Sequence, residues 1–361
     1  MNQSTMTELA RVTPSSQSGP RLKNGWVFSP RTDLVLFGIP FLLGWLLLLI
    51  NAVFDLKSVY AFNRSTFVAT FALANFLDVG HVLSTVLTTY FKPETRAKHR
   101  SLLLVGPLII LGINVTIYEV LGITWVIYFF AYYNFYHVVR QQYGWISISA
   151  KKAGEGSRVD RWLDKLVIYG VMVLPFVWIH LSLSPNSRRI TIPTNPALAK
   201  VTVAVLLALI AVYGARQAHK WYRGEPLNLA KLFIVASTAL TWGGALFTRS
   251  PFTALIGTIV HGTPYVGIIY ITDKHEGALR SKLEHHLRAL APAAFGLLVL
   301  LAGFSWVRIL RYFDGAAGGR FVDWVVVIGM IVPISHYVID GVIWRRRTFN
   351  PARDLLPRSS S

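Results

Sequence analysis

Apolar residues gather along the chain in windows of about 20, separated by short polar or charged stretches. A helix of that length crosses a hydrocarbon core about 30 Å thick, so each window predicts a membrane-spanning segment. Ten windows can be placed, at 33–53, 66–90, 101–121, 123–146, 163–183, 201–219, 231–248, 250–272, 289–307 and 322–344. The third and fourth are separated only by the tight junction from Glu119 to Gly122. The pattern therefore predicts an all-α, polytopic bundle of about ten transmembrane helices.

Composition supports a membrane protein and sets the limits of its domain. Hydrophobic residues make up 53% of the chain, charged residues 15%, and the mean hydropathy is +0.47, whereas a soluble domain is about 25% charged. We expect a single transmembrane domain over residues 31–347 and a short basic cytoplasmic tail over 348–361. Residues 1–30 are predicted to form a disordered polar cytoplasmic tail, because this stretch is polar and rich in Ser and Thr. It also lacks the apolar core of a secretory signal.

Basic residues predict the orientation of the bundle. With ten spans, 25 of the 36 lysines and arginines fall on the face that carries both tails, and nine fall on the other. The positive-inside rule then places both termini in the cytoplasm, and we expect the inner membrane of a bacterium. The net charge of +19 is divided among short loops, which favours contact with anionic lipid headgroups and argues against a nucleic-acid partner.

Four histidines stand alone in four separate apolar spans: His81, His137, His261 and His336. All four spans run from outside to inside, and the histidines fall 15, 14, 11 and 14 residues after the predicted outer ends. A spread of four residues is about 6 Å along a helix, within the reach of side chains around one centre. Ionisable groups inside a bilayer are costly and mark functional sites. The sequence therefore predicts that the four imidazoles meet.

Two carboxylates lie one helical turn from these histidines, where side chains share a face. Asp78 precedes His81 by three residues and Asp340 follows His336 by four. A carboxylate at that spacing can bind the same metal or hold the second ring nitrogen of a ligand histidine. Because the chain has no cysteine, any metal is bound by nitrogen and oxygen, which suits iron, with manganese or zinc as alternatives. The predicted metal ligands are His81, His137, His261, His336, Asp78 and Asp340.

Further residues are candidates for weaker or catalytic roles. Asp78, Asp340, Tyr265 and Arg140 are the predicted catalytic residues; Tyr265 follows His261 by four residues, and Arg140 lies near the inner third of span four. Arg140 either reaches the cytoplasmic surface or pairs with one of the aspartates or an anionic headgroup. A second group at the cytoplasmic mouth could complete a two-metal centre, although such loop residues are usually only solvated. Its histidines are His99, His275, His285 and His286.

These residues favour a membrane metalloenzyme, an iron-dependent oxygenase, hydroxylase or desaturase. Its substrate would be lipophilic: a lipid, fatty acyl chain, isoprenoid or carotenoid. A dry bundle would protect reactive chemistry from water. No dinucleotide-binding motif is found, so we expect a separate electron donor. The chemistry is analogous to that of membrane iron desaturases and hydroxylases, but their grouped HxxxH and HxxHH motifs are absent and no family is assigned.

Two other functions remain open at the level of sequence. The same buried histidines and aspartates could form the ion path of a proton- or ion-coupled transporter, and HGTPYVG at 261–267 permits the broken helix that transporters use. Bis-histidine haem and electron transfer form a third possibility, since four helices could supply facing ligand pairs; haem is the less expected cofactor.

Overall fold

The computed structural model describes residues 24–54, 80–82, 85–86, 89–90, 92–182, 194–247, 252–276 and 319–343. The regular structure within these ranges is helical, and they contain no β-strand. The predicted all-α class is therefore confirmed for the described part of the chain. Most of residues 1–30, all of 348–361, Asp78 and the predicted span 289–307 lie outside it, and so does most of the span 66–90.

Ten helices can be followed through the described ranges, and we number them in chain order. They are α1 (Pro30–Phe54), α2 (Pro93–Lys98), α3 (Arg100–Leu121), α4 (Ile123–Lys152), α5 (Arg158–Ser182), α6 (Pro196–Tyr222), α7 (Leu229–Phe247), α8 (Thr253–Glu276), α9 (Arg320–Gly329) and α10 (Ile331–Ile343). Residues 80–82, 85, 86 and 89 are also helical. Within α1 and α7, the π-helical segments Leu34–Gly38 and Ala239–Gly243 interrupt the regular turn.

Six helical stretches of the described chain are long and apolar enough to cross a membrane. They are Pro30–Phe54, Arg100–Leu121, Arg158–Ser182, Pro196–Tyr222, Leu229–Phe247 and Asp323–Ile343. This set agrees with a multi-pass membrane protein, while the total of ten spans and the cytoplasmic termini stay predictions. Helices α4 and α8 are not among the six, and they carry His137 and His261. In α4 the tyrosines and buried polar side chains lower the hydropathy of a helix that is otherwise long enough.

Local sequence signals explain where several helices begin and end. Asn195 and Asn228 accept hydrogen bonds from the backbone N–H groups of Leu198 and Lys231, at 3.0 and 3.1 Å, and so cap α6 and α7; such caps satisfy N–H groups that have no partner within the helix. Gly122 has a φ of 88°, which only glycine adopts without strain. It separates α3 from α4 at the junction that the sequence indicated.

The last predicted span, 322–344, corresponds to the apolar stretch Asp323–Ile343, within which the helix is distorted at Met330. Helix α9 ends at Gly329 and α10 begins at Ile331, with Met330 between them. The physical reason is Pro333, which has no N–H to donate to the carbonyl of Gly329 and whose ring crowds that carbonyl. Met330 lies six residues before His336, so the distortion precedes the histidine of α10 by fewer than two turns.

Contacts between helix ends show which ends lie together on each side of the bundle. At one end, the α3 carboxylate of Glu119 accepts a 3.2 Å hydrogen bond from Arg320 of α9. At the other end, Lys152 of α4 donates to the carbonyl of Val27, at 2.7 Å. Helix α10 packs against α3 and α4, and α8 packs against α1 and α4. The described residues form two apolar cores, one containing Tyr265 and the other Tyr337.

A buried ionic group ties α4, α5 and α7 together at the Lys152 end of the bundle. The ammonium of Lys231 contacts Glu155 at 2.5 Å and Asp164 at 3.0 Å, and its side chain is 1% exposed. Lys231 lies in the first turn of α7, and its side chain is buried in the bundle.

Candidate metal centre

The four histidines that the sequence singled out lie together in the interior. His81, His137, His261 and His336 are 0, 7, 2 and 2% exposed. The ring centroid of His81 lies 4.4 Å from that of His336, 4.5 Å from that of His261 and 6.1 Å from that of His137. The His137 centroid is 5.1 Å from that of His261 and 4.9 Å from that of His336. Residues far apart in sequence thus form one compact group, which we call the histidine cluster.

Asp340 joins the histidine cluster on the side of His336. Its Oδ1 atom lies 3.6 Å from Nδ1 of His336, four residues earlier on α10. Two hydroxyl groups donate to the same oxygen, Tyr265 at 2.9 Å and Thr85 at 3.0 Å. The carboxylate is 7% exposed, and donors of this kind are what a buried carboxylate needs.

The hydroxyl group of Thr85 links Asp340, Tyr265 and His336. Thr85 has a single hydroxyl hydrogen, and the carboxylate of Asp340 accepts it. When that hydroxyl donates to Asp340, its oxygen accepts a hydrogen bond from Nδ1 of His336, 2.7 Å away. In that arrangement the Nε2 atom of His336 accepts a hydrogen bond from Nε2 of His81, 2.8 Å away. A metal ion would replace this hydrogen bond, because it binds the lone pair of a neutral imidazole.

Among the described residues, two overlapping sets of side chains have the spacing of a metal site. The ligand atoms of His81, His137 and His261 all lie within 4.8 Å of one another, and so do those of His137, His336 and Asp340. Two nitrogens that share an ion at about 2.1 Å are about 3.0–3.4 Å apart at angles of 90–109°. The spacing therefore needs only small side-chain adjustments. His137 belongs to both sets.

Several imidazole nitrogens in the histidine cluster have no hydrogen-bond partner among the described residues. These are both ring nitrogens of His261 and the Nε2 atom of His137. A buried polar atom without a partner costs about 1–3 kcal/mol, and native proteins rarely tolerate several in one place. A bound ion would remove this penalty, since it uses the same lone pairs. The donor set therefore fits a metal ion.

Backbone and aromatic contacts fix the orientation of the rings. Pro264 lies inside α8 and has no N–H for the helix ladder. Close by, the Nε2 atom of Gln141 donates a 3.3 Å hydrogen bond to the carbonyl of His261. Tyr337 stacks on His137, with ring centroids 4.4 Å apart and an angle of 26° between planes. Helices α4, α8 and α10 are thereby joined at the level of the histidine cluster.

A cavity of about 490 Å³ adjoins the histidine cluster. Its lining includes His137, Tyr265 and Asp340 at the cluster, and Arg140 and Lys151 along α4. Ligand pockets in proteins usually measure about 300–1,000 Å³. His137 and Asp340 therefore border a space large enough for a small molecule.

The remaining predicted residues lie away from the histidine cluster or outside the described chain. His99 precedes α3, and neither ligand set includes it. His275 lies on the last turn of α8, where its side chain is outside the described part, and His285, His286 and Asp78 are outside it altogether. Arg140 lines the cavity, and its guanidinium lies near the hydroxyl of Tyr169. Among the described residues, Arg140 forms no ion pair with Asp340.

Sequence reasoning missed two residues that position the imidazoles, Thr85 and Tyr337. Thr85 follows His81 by four residues, the same spacing that identified Tyr265 and Asp340. Threonine in an apolar helix usually bonds to its own backbone, so the spacing alone carried little weight. Tyr337 directly follows His336 and has the pattern of an ordinary packing residue.

The histidine cluster has to be interpreted from its own geometry. Its side chains come from four separate stretches of sequence, so no short motif describes it. No protein-family model matches the chain, and no curated protein or solved structure matches it.

Proposed function

We propose that this chain is a membrane metalloenzyme whose histidine cluster and Asp340 bind iron and support oxidation of a lipophilic substrate. The observation that carries the proposal is the convergence of four buried imidazoles from separate helical segments with one carboxylate, in two overlapping sets whose ligand atoms each lie within 4.8 Å of one another. A chain without cysteine offers only nitrogen and oxygen ligands. Neutral imidazole with carboxylate is the ligand set of non-haem iron sites.

The overall reaction that we propose inserts one oxygen atom into a C–H bond. It balances as C–H + O₂ + 2 e⁻ + 2 H⁺ → C–OH + H₂O, with dioxygen as oxidant and the two electrons from a separate donor protein. Bound iron would supply the redox chemistry at its open positions. The chain's residues bind the ion, keep His336 in its Nδ1-protonated form through Thr85, and exclude water through the two surrounding cores.

The main competing function is proton- or ion-coupled transport, for which a buried carboxylate and Pro264 in α8 would be equally suitable. Haem is less compatible with the site. Direct contact between Nε2 of His81 and Nε2 of His336, at 2.8 Å, leaves no space for a macrocycle between those two rings.

Metal analysis with an optical spectrum of the detergent-purified protein tests the proposal. We expect iron in stoichiometric amount, no Soret band, and loss of the metal in His137→Ala, because His137 belongs to both ligand sets. His261→Ala should also lower the iron content. The matched control is His219→Ala, which removes an exposed histidine of α6 outside the histidine cluster and should retain the metal.

Other outcomes would identify a different function. A folded protein without metal, which also fails to bind added Fe²⁺, Mn²⁺ or Zn²⁺, contradicts the metalloenzyme. Transport of protons or ions in liposomes by that metal-free protein, lost in Asp340→Asn, would then establish the transporter. Stoichiometric zinc without iron would retain the site but exclude the redox chemistry.

A further inference from the structure

One face of α4 forms a continuous wall of the cavity beside the histidine cluster. The α4 residues on this wall include Tyr136, Arg140, Gly144, Ser147 and Lys151. They follow each other at intervals of three or four residues, so they lie in one stripe along the helix. From His137 to Lys151 the stripe rises about 21 Å. The cavity is therefore elongated and runs from the buried imidazoles toward the end of α4.

The stripe carries positive charge with no matching carboxylate among the described residues. Arg140 and Lys151 are both exposed residues of α4 that line the cavity, 11 positions apart. The one acidic side chain on the described lining is Asp340, and its Oδ1 atom already accepts hydrogen bonds from Tyr265 and Thr85. The guanidinium of Arg140 contacts the neutral hydroxyl of Tyr169. Its charge is thus available to an anion from outside.

The rest of the described lining suits a hydrocarbon chain. Tyr133, Tyr143, Ile148, Ile268, Val338 and Val342 contribute to it. Aromatic and aliphatic walls with a few placed polar groups are the usual form of a small-molecule site. The cavity thus has apolar sides, a cationic stripe along α4 and an inner end at His137. It matches a molecule with one long chain and one negative head.

We propose that this cavity binds a single-chain amphiphile with an anionic head, a carboxylate or a phosphate, whose head is held by Arg140. This inference rests on the proposed function in naming the substrate class of the same site. Arginine presents a planar fork of donors that matches both kinds of head. Arg140 lies three residues after His137, about 4.5 Å along the axis of α4. The bound head therefore anchors the molecule beside the histidine cluster. Lys151, at the far end of the stripe, attracts the anionic molecule as it approaches the cavity.

Binding of radiolabelled oleate to metal-free protein in a neutral detergent tests this proposal. Oleyl phosphate and oleyl alcohol compete in parallel assays, with acetate and inorganic phosphate as chainless anions. We expect oleate and oleyl phosphate to bind at least tenfold more tightly than the alcohol, and the chainless anions not to compete. Arg140→Gln should weaken oleate binding about tenfold to a hundredfold, since a hydrogen bond to a charged group is lost, and leave binding of the alcohol unchanged.

Two matched variants separate a specific site from general attraction by positive charge. Arg140→Lys should restore part of the affinity, and Arg223→Gln, which removes an exposed arginine at the end of α6, should have no effect. Equal binding of oleate and oleyl alcohol, or equal losses in Arg140→Gln and Arg223→Gln, would overturn the proposal. Because the assay uses metal-free protein, its failure is distinct from a failure of the metal site to bind iron.

Discussion

Thr85 connects the carboxylate of Asp340 with the imidazole of His336, and this connection can be tested by a single substitution. In Thr85→Val the Nδ1–H group of His336 loses its acceptor and Asp340 loses one donor. The ring is then free to turn or to change its protonated nitrogen. Partners of this kind typically contribute about 10–100-fold to metal affinity, so we expect the iron dissociation constant to rise by that factor in a metal-competition titration.

The conservative variant Thr85→Ser provides the control. It keeps the hydroxyl between Asp340 and His336 and should bind iron close to the unmodified affinity, although it removes a methyl group from the core. If Thr85→Val and Thr85→Ser weaken binding equally, packing rather than the hydrogen bond explains the loss. If neither changes the affinity, the proposed protonation of His336 is wrong.

Individual site residues could be predicted where placing the side chain inside a membrane costs free energy. His81, His137, His261 and His336 could be found because an ionisable group in an apolar span needs a reason, and counting from the span ends placed them at one depth. Thr85 could not, because a hydroxyl in a membrane helix can bond to its own backbone at little cost. The partner that it chooses depends on which helices meet, and that information is not local.

At the scale of helices, Gly122 separates α3, which packs against α10, from α4, which carries His137. Its φ of 88° and ψ of 171° lie in a region that is essentially restricted to glycine, and a residue with a Cβ held there costs about 1–3 kcal/mol. Nothing lies within 4 Å of the position where a Cβ would be added. Gly122→Ala should therefore lower the thermal unfolding midpoint through backbone strain alone.

A matched substitution is available inside α3. A Cβ added at Gly112 would also have nothing within 4 Å, but this glycine lies in the helix interior, where alanine is favoured over glycine by about 0.5–1 kcal/mol. Gly112→Ala should raise the unfolding midpoint or leave it unchanged. A fall of similar size in both variants would show that the added methyl group on the outer surface of the helix bundle, and not the backbone conformation at Gly122, is responsible.

Helix positions followed from hydropathy more reliably than helix irregularities did. The windows 101–121 and 201–219 lie within α3 and α6, because a long apolar run has few alternatives to a helix. The break at Met330 and the π-helical segments in α1 and α7 were not predicted. Pro333 lies near Met330, but proline in membrane helices is often accommodated by neighbours, so its effect here depends on the packing of α9 and α10.

At the scale of the whole molecule, the charges that hold the bundle together are separated from those that serve the cavity. Asp160 of α5 pairs with Arg216 and Lys220 of α6, at 2.9 and 2.7 Å. Lys231 of α7 pairs with Glu155, which lies in the turn between α4 and α5. Neither group includes a residue of the histidine cluster, so stability and metal binding should respond to different substitutions.

Lys231→Met tests this separation. The change leaves the carboxylates of Glu155 and Asp164, which are 6 and 4% exposed, without their ammonium. Breaking a buried ion pair from one side typically costs about 3–5 kcal/mol, so we expect a clear fall in the unfolding midpoint of the detergent-purified protein. Its iron content below that midpoint should equal that of the unmodified chain.

The control for Lys231→Met is an ion pair that water already screens. Arg320 and Glu119 are 74 and 44% exposed at 3.2 Å, and such pairs contribute at most about 1 kcal/mol, so Arg320→Gln should hardly move the midpoint. His137→Ala should behave in the opposite way to Lys231→Met, losing iron while it unfolds near the midpoint of the metal-free unmodified chain. Loss of iron in folded Lys231→Met would mean that the ionic group and the histidine cluster are coupled through α4, because α4 is the helix that runs from His137 to the turn bearing Glu155.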